Sequence, residues 1–256
     1  MALMLLPLFT LLAVSNAAVP YNFDPRIING EAVKTGDIPY QASLQLKASN
    51  RHFCGGSVLN ANYVLTAAHC VVRQAPNTME VVVGTVDVDN RVSVHQVEKI
   101  ITHEKYSAED SYVNDIALIK VKTRFVTSRQ IAPVPLPKVN EVIPAKSLAV
   151  VSGWGSDKYG GATTKQLMKA RILIADQTKC RKVYKTLMMN IYDSHICAND
   201  PSVEKGACNG DSGGPLTVDG KIVGIVSWSM ACALTKYPTV YTRVTSHLGW
   251  IKQNAV

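Results

Sequence analysis

The sequence predicts an all-β protein built as two consecutive β units, and three observations carry that expectation. Short β-branched runs separated by turn residues recur over 41–46, 57–66, 79–86, 92–101 and 116–120, a spacing that suits a barrel or a sandwich. Residues 132–144 then hold four prolines and no helical or strand periodicity, the composition of a linker crossing between two halves. Runs over 147–152, 167–174, 214–218, 221–227 and 239–242 follow, so a second β unit succeeds the first.

Ahead of the first run, residues 2–14 are apolar and end in Ser15-Asn16-Ala17-Ala18, which reads as a secretory leader over 1–17, although no Lys or Arg precedes it. The run is shorter than the roughly 20 residues a membrane span needs, and no later segment is long and apolar enough to be one. Residues 18–26 contain prolines and no cysteine, and read as a propeptide ending at a basic cleavage point, Arg26, before Ile27-Ile28-Asn29-Gly30. The first β unit is expected over 27–131 and the second over 145–243. One helix is expected over 177–187, and another closes the chain over 244–254, where Val244, Leu248 and Ile251 fall at helical spacing.

At 256 residues the chain is long enough to bury a sizeable core as one large domain or two small ones. Its net charge is +8, and Lys165, Lys169, Arg171, Lys179, Arg181, Lys182 and Lys185 share their stretch with one acid, Asp176. Such a run is usually a solvated face, and no nucleic-acid motif accompanies it, so neither nucleic acid nor membrane is an expected partner. Cys54, Cys70, Cys180, Cys197, Cys208 and Cys232 are an even number in an exported chain, which argues for three disulfides with 15 pairings open. No short Cys-x-x-Cys or His-x-x-x-His spacing occurs, so no metal and no cofactor is expected.

Three stretches carry chemistry. Asn209-Gly210-Asp211-Ser212-Gly213-Gly214-Pro215 sets a serine between glycines, where the backbone takes tight conformations and a substrate can approach it. Thr66-Ala67-Ala68-His69-Cys70 sets a histidine after an apolar strand, and Asn114-Asp115-Ile116-Ala117-Leu118-Ile119-Lys120 sets an acid at the mouth of another. Alone, each has a structural reading: a solvated serine, a packed histidine, a turn-capping aspartate. Together they supply what serine hydrolysis needs, namely a hydroxyl, a base and an acid that orients the base.

With these motifs, the order of Arg26-Ile27-Ile28-Asn29-Gly30, Cys54-Gly55-Gly56-Ser57, Gly153-Trp154-Gly155 and Val226-Ser227-Trp228 makes the chain similar to secreted serine endopeptidases of the trypsin and chymotrypsin family from Arg26 onward. The resemblance implies two six-stranded antiparallel β-barrels packed together, with a C-terminal helix, in one protease domain over 27–256. It implies catalytic roles for His69, Asp115 and Ser212, and an oxyanion hole from the N–H groups of Gly210 and Ser212. Ser227 would bond near Asp115, and Ser227, Trp228 and Ser229 would offer a strand edge to the substrate. Cleavage after Arg26 by an activating protease would free Ile27 to pair with Asp211. In the uncut chain Ser43 and His52 would hold that aspartate instead. The family pairing of cysteines is Cys54 with Cys70, Cys180 with Cys197 and Cys208 with Cys232.

The resemblance places Gly206 at the base of the specificity pocket, where trypsin-like relatives carry an Asp that selects Lys or Arg, and Ser229 and Thr239 on its walls. An uncharged base leaves a buried cation without a partner, and the larger wall residues narrow the slot. An apolar residue before the scissile bond is therefore expected, on either a chymotrypsin-like or an elastase-like pattern. Thr85-Val86 stands where calcium-binding relatives begin with Glu, which leaves Asp87 and Asp89 as weak ligands at most. The expected partners are protein or peptide substrates and protein protease inhibitors, for a secreted monomer. The alternative from another class is a catalytically inactive binding member of the same fold, against which the three intact motifs speak.

Overall fold

The computed structural model describes residues 27–158 and 160–256. The leader over 1–17, the propeptide over 18–26 and Arg26 lie outside the described residues. Six strands close the first barrel in the order β2-β3-β4-β7-β6-β5: β2 Gln41–Leu46, β3 Arg51–Val58, β4 Tyr63–Thr66, β5 Met79–Val83, β6 Ser93–Thr102 and β7 Ala117–Val121. β5 and β7 are short, β-branched and almost wholly buried, as strands covered on both faces are. In β6 the buried His95 and Val97 alternate with exposed Val94, Gln96 and Glu98, the period-two pattern of a strand with one wet face. The run over 57–66 is two elements, the end of β3 and all of β4, turned at Asn60, whose Oδ1 accepts the N–H groups of Asn62 and Tyr63 at 2.9 and 3.0 Å.

The second barrel closes in the order β9-β10-β13-β12-β11-β8 with β8 pairing back onto β9, all antiparallel. Its strands are β8 Leu148–Gly153, β9 Met168–Ile174, β10 His195–Asn199, β11 Pro215–Val218, β12 Lys221–Trp228 and β13 Thr239–Arg243. The opening segment reaches across to the second barrel: β1, Glu31–Ala32, pairs with β9, and Ile27 is fully buried in that barrel's core. Burying a large aliphatic side chain at that site outweighs proximity in sequence, since it is worth about 1.5–3 kcal/mol.

The other end of the chain crosses in the opposite sense. A 3-10 turn over Val244–His247 leads into helix α3, Leu248–Asn254, whose Trp250 and Ile251 pack into the core of the first barrel. Trp250 Nε1 donates to Glu104 Oε2 at 3.0 Å, and Tyr63 OH donates to the Val256 carbonyl at 2.7 Å. Each barrel is thus clasped by the terminal segment of the other. A single helical turn, α1 Ala68–Val71, follows β4, and α2 covers Gln177–Lys185, capped by Asp176 Oδ1 accepting the Lys179 N–H at 2.8 Å. Disulfides join Cys54 to Cys70, Cys180 to Cys197 and Cys208 to Cys232, closing loops of 16, 17 and 24 residues, each worth about 3 kcal/mol in the chain-entropy picture.

Candidate active site

The site is assembled from loops at the seam of the barrels. β4 delivers the chain into α1, and the Cys54–Cys70 disulfide ties that turn to β3, which fixes the backbone of His69. Asp115 enters just before β7, after a loop in which Ser111, Tyr112 and Asn114 all have left-handed φ, and it is fully buried. Burial of a carboxylate demands partners, and it has them. His69 Nδ1 donates to Asp115 Oδ2 at 2.7 Å, the His69 N–H donates to Oδ1 at 2.8 Å, and Ser227 Oγ donates to Oδ2 at 2.5 Å. Thr242 Oγ1 also donates to the Asp115 carbonyl at 2.7 Å, so β12 and β13 of the second barrel clamp a residue of the first. A carboxylate is an acceptor only, so the histidine proton sits on Nδ1 and Nε2 keeps its lone pair for the cleft.

Ser212 lies in the tight turn between Cys208 and β11, half-exposed, in one cleft with His69. No hydrogen bond joins Ser212 and His69 among the described residues. Gly213, at φ +78°, allows the turn: a Cβ there would collide with Thr66 Oγ1 and lie 2.6 Å from the Gly55 carbonyl. The Gly55 N–H donates to the Ser212 carbonyl at 2.7 Å, so the barrels are hydrogen-bonded to each other at this residue. Gly210, at φ +97°, runs so close to Gly155 that a Cβ would sit 3.1 Å from its Cα.

Asp211 points the other way, into the protein, and is fully buried. Its Oδ1 accepts the Gly155 N–H at 2.8 Å and its Oδ2 the Cys208 N–H at 2.9 Å. Burial pushes its carboxyl up to about 7, against the two N–H groups, which lower it. Ser43 Oγ bonds His52 Nδ1 at 2.8 Å, and His52 Nε2 donates to the Gly210 carbonyl at 2.9 Å, so the pair faces the backbone next to Asp211 rather than its carboxylate. Burial holds His52 down at about 4, hence neutral, with the Gly210 carbonyl opposing. The Ile28 carbonyl accepts the Gly206 N–H at 3.2 Å, which anchors the opening segment beside the pocket.

The cleft has a volume of about 250 Å³ and is lined by His69, Ser212, Ser227, Trp228, Ser229 and Thr239 among the expected residues. Gly206 is buried just behind Ala207, at φ +142°, and a Cβ added to it would have Ala233 Cβ and Ile172 Cγ2 as its nearest neighbours, at 3.8 and 4.0 Å. Glu204 is exposed and does not line the cleft, nor does Lys205. None of the lining side chains is acidic. Sequence reasoning missed Tyr112, whose ring meets His69 edge-on at 6.0 Å and stacks on Trp228 at 6.5 Å, and Met230 at the rim. No motif marks Tyr112; its place follows from the left-handed turn that leads into Asp115.

Cys54, His69 and Cys70 converge, but both sulfurs are held in a disulfide and cannot bind a metal as thiolates. The two carboxylates named as weak ligands are engaged: Asp87 Oδ1 accepts the Asp89 N–H at 3.0 Å, and Asp89 pairs with Lys165 at 2.6 Å.

The sequence profile of the family described as Trypsin matches residues 27–251. Trypsin-1 of Astacus astacus is 38% identical over 242 residues, spanning 90% of this chain and 100% of that protein. Trypsin Blo t 3 of Blomia tropicalis is 37% identical over 90% of this chain and 86% of its own length, and Trypsin of Simulium vittatum 35% over 91% and 94%. A match of that extent, on two closed barrels with a histidine, a buried aspartate and a serine at their seam, makes this chain a member of the trypsin family and a serine endopeptidase.

Proposed function

We propose that the protein is secreted as a zymogen, is cut after Arg26, and then hydrolyses peptide bonds through an acyl-enzyme after apolar residues. Ser212 Oγ attacks the scissile carbonyl carbon as His69 Nε2 takes its proton. The oxyanion that forms accepts the N–H groups of Gly210 and Ser212, and loss of one such donor typically costs about 3–4 kcal/mol of transition-state stabilisation. His69 passes the proton to the departing amine, and a water deprotonated by the same nitrogen then releases the acyl group. Asp115 orients the ring and stabilises the imidazolium. The observation that carries this reading is the chain of hydrogen bonds from Ser227 through Asp115 to His69, which ends on the cleft that Ser212 also lines.

Activation rests on Asp211. A fully buried carboxyl with two N–H donors and a raised pKa is incomplete without a cation, and the ammonium freed at Ile27 supplies one. Selection rests on the cleft walls: with no acidic side chain there, a Lys or Arg side chain would be desolvated unpaired. Leu, Met or a tilted aromatic is the expected occupant. The relatives' name, trypsin, points to the other outcome.

The test is to cleave the protein after Arg26 and profile it on peptides varied at the residue before the scissile bond. Hydrolysis after apolar residues is expected, with a serine-reactive phosphonate adduct mapping to Ser212. Hydrolysis chiefly after Lys or Arg would overturn the selectivity, and an adduct elsewhere would overturn the mechanism.

A further inference from the structure

A second cavity, of about 370 Å³, lies between α2, the end of β9 and the segment that leads into β13. That volume is in the range of small-molecule sites. Its lining is apolar where Leu173, Ile174, Val183, Pro201 and Pro238 meet. Three lysines, Lys146, Lys179 and Lys236, also line it; all are exposed, and none pairs with an acidic side chain among the described residues. Its one acid, Asp176, is committed to capping α2. Lys146, on the turn before β8, and Lys236, on the turn before β13, come from stretches outside the basic run over 165–185, so three separate segments bring like charges to one apolar hollow. An anion seated there would have cations from all three segments around it.

We propose that this cavity binds a fatty carboxylate, its chain seated on Leu173, Val183 and Pro238 and its headgroup among Lys146, Lys179 and Lys236. An apolar hollow with a cationic rim matches a ligand that is apolar at one end and anionic at the other, and rejects a cationic amphiphile of the same chain length. The site is separate from the peptidase cleft but shares a wall with it: Thr235, Lys236 and Pro238 line this cavity, while the next residue, Thr239, lines the cleft. Asn199 Nδ2 and Tyr184 OH hold that wall, donating to the Thr235 and Pro238 carbonyls at 2.7 Å each.

The test uses the uncut protein, so that its result does not depend on the peptidase reading. Sodium laurate below its micellar concentration, dodecyltrimethylammonium and an apolar-acidic peptide are each titrated by calorimetry. One laurate per chain is expected to bind, less tightly as salt rises, with no binding of the ammonium. The K146Q/K179Q/K236Q variant is expected to bind about tenfold more weakly, because exposed charges contribute at most a few-fold each. Val183→Trp, which fills the hollow, should abolish binding. Absence of laurate binding, equal binding of the ammonium, binding of the peptide alone, or laurate affinity unchanged in the lysine variant would overturn the proposal.

Discussion

Two fully buried aspartates, one on each side of Ser212 in the fold, are held in opposite ways. Asp115, at the seam, accepts three hydrogen bonds on its carboxylate, two of them from the residue it serves, and its own carbonyl is fixed by Thr242. Asp211, buried in the loop between Cys208 and β11, accepts two from the backbone, and burial pushes its carboxyl up to about 7. Equal burial therefore does not mean equal function. The Asp115 carboxylate has side-chain and backbone donors in place, whereas the Asp211 carboxyl is held by two backbone N–H groups and no cationic side chain pairs with it among the described residues, the condition on which the proposed activation switch rests.

The largest separation between the two is expected from amide substitutions. Asp115→Asn should lower kcat by about 10⁴-fold, because an amide in place of the carboxylate favours the wrong imidazole tautomer; steady-state kinetics of the Arg26-cleaved protein would measure it. Asp211→Asn should lower activity after cleavage by about 10²–10³-fold, the scale of a misplaced oxyanion donor. The same change should make the uncut protein more stable at pH 8, not less. A loss of stability larger than the roughly 1–3 kcal/mol of the one backbone N–H bond that an amide cannot accept would show that Asp211 is already satisfied before cleavage.

The pH dependence sharpens the same contrast. Between about pH 4 and 7 the folded uncut chain keeps a proton on Asp211 that the unfolded chain releases, so this group lowers stability as pH rises through that window. His52 acts oppositely: held at about 4 in the fold, its contribution is present above about 6.5 and is lost as pH falls toward 4. Unfolding free energies from urea titrations of the uncut protein and its Asp211→Asn variant at pH 4.5, 6 and 8 should diverge with increasing pH, by a gap on the order of a few kcal/mol. Parallel curves would exclude a strained carboxyl.

Smaller effects bracket the comparison. Gly155→Ala would drive a methyl into the Asp211 carboxylate, and overpacking of that kind costs about 1–3 kcal/mol in thermal or urea unfolding. Ser227→Ala removes one of the three bonds to the Asp115 carboxylate and should lower kcat by about tenfold, since a hydrogen bond to a charged group is worth roughly 1.5–3 kcal/mol, part of it recovered by water. An effect as large as that of Asp115→Asn would mean that Ser227, not His69, is the main support of the carboxylate.

The residues that carry chemistry are legible in the sequence because each sits in a local pattern with its own backbone requirement, as Ser212 does between Gly210 and Gly213. Strands are legible where β-branched residues cluster, as in β5 and β7. β10 escapes notice because His195-Ile196-Cys197-Ala198-Asn199 neither alternates nor concentrates β-branched residues; it is a strand because β9 and β13 pair with it on both sides. The first half of β3 escapes for the same reason, since Arg51-His52-Phe53-Cys54-Gly55-Gly56 holds no β-branched residue. Chain order does not decide where Ile27 packs, because a core acquires residues by burial, not by sequence. Tyr112 lies beyond reach, as its position depends on three departures from ordinary φ within four residues of a loop that has no signature.

The closure of both sheets into rings bears on how such an enzyme survives its own company. A peptidase that captures substrates as an added strand will dock on any unpaired strand edge that another copy presents. Here β8 returns to β9 and β5 to β2, so every barrel strand has a partner on both sides, and the short β1 pairs with Lys169 and Met168 of β9 beside its brief pairing with β10. Closure of this kind leaves a second copy fewer backbone edges on which to dock as an added strand.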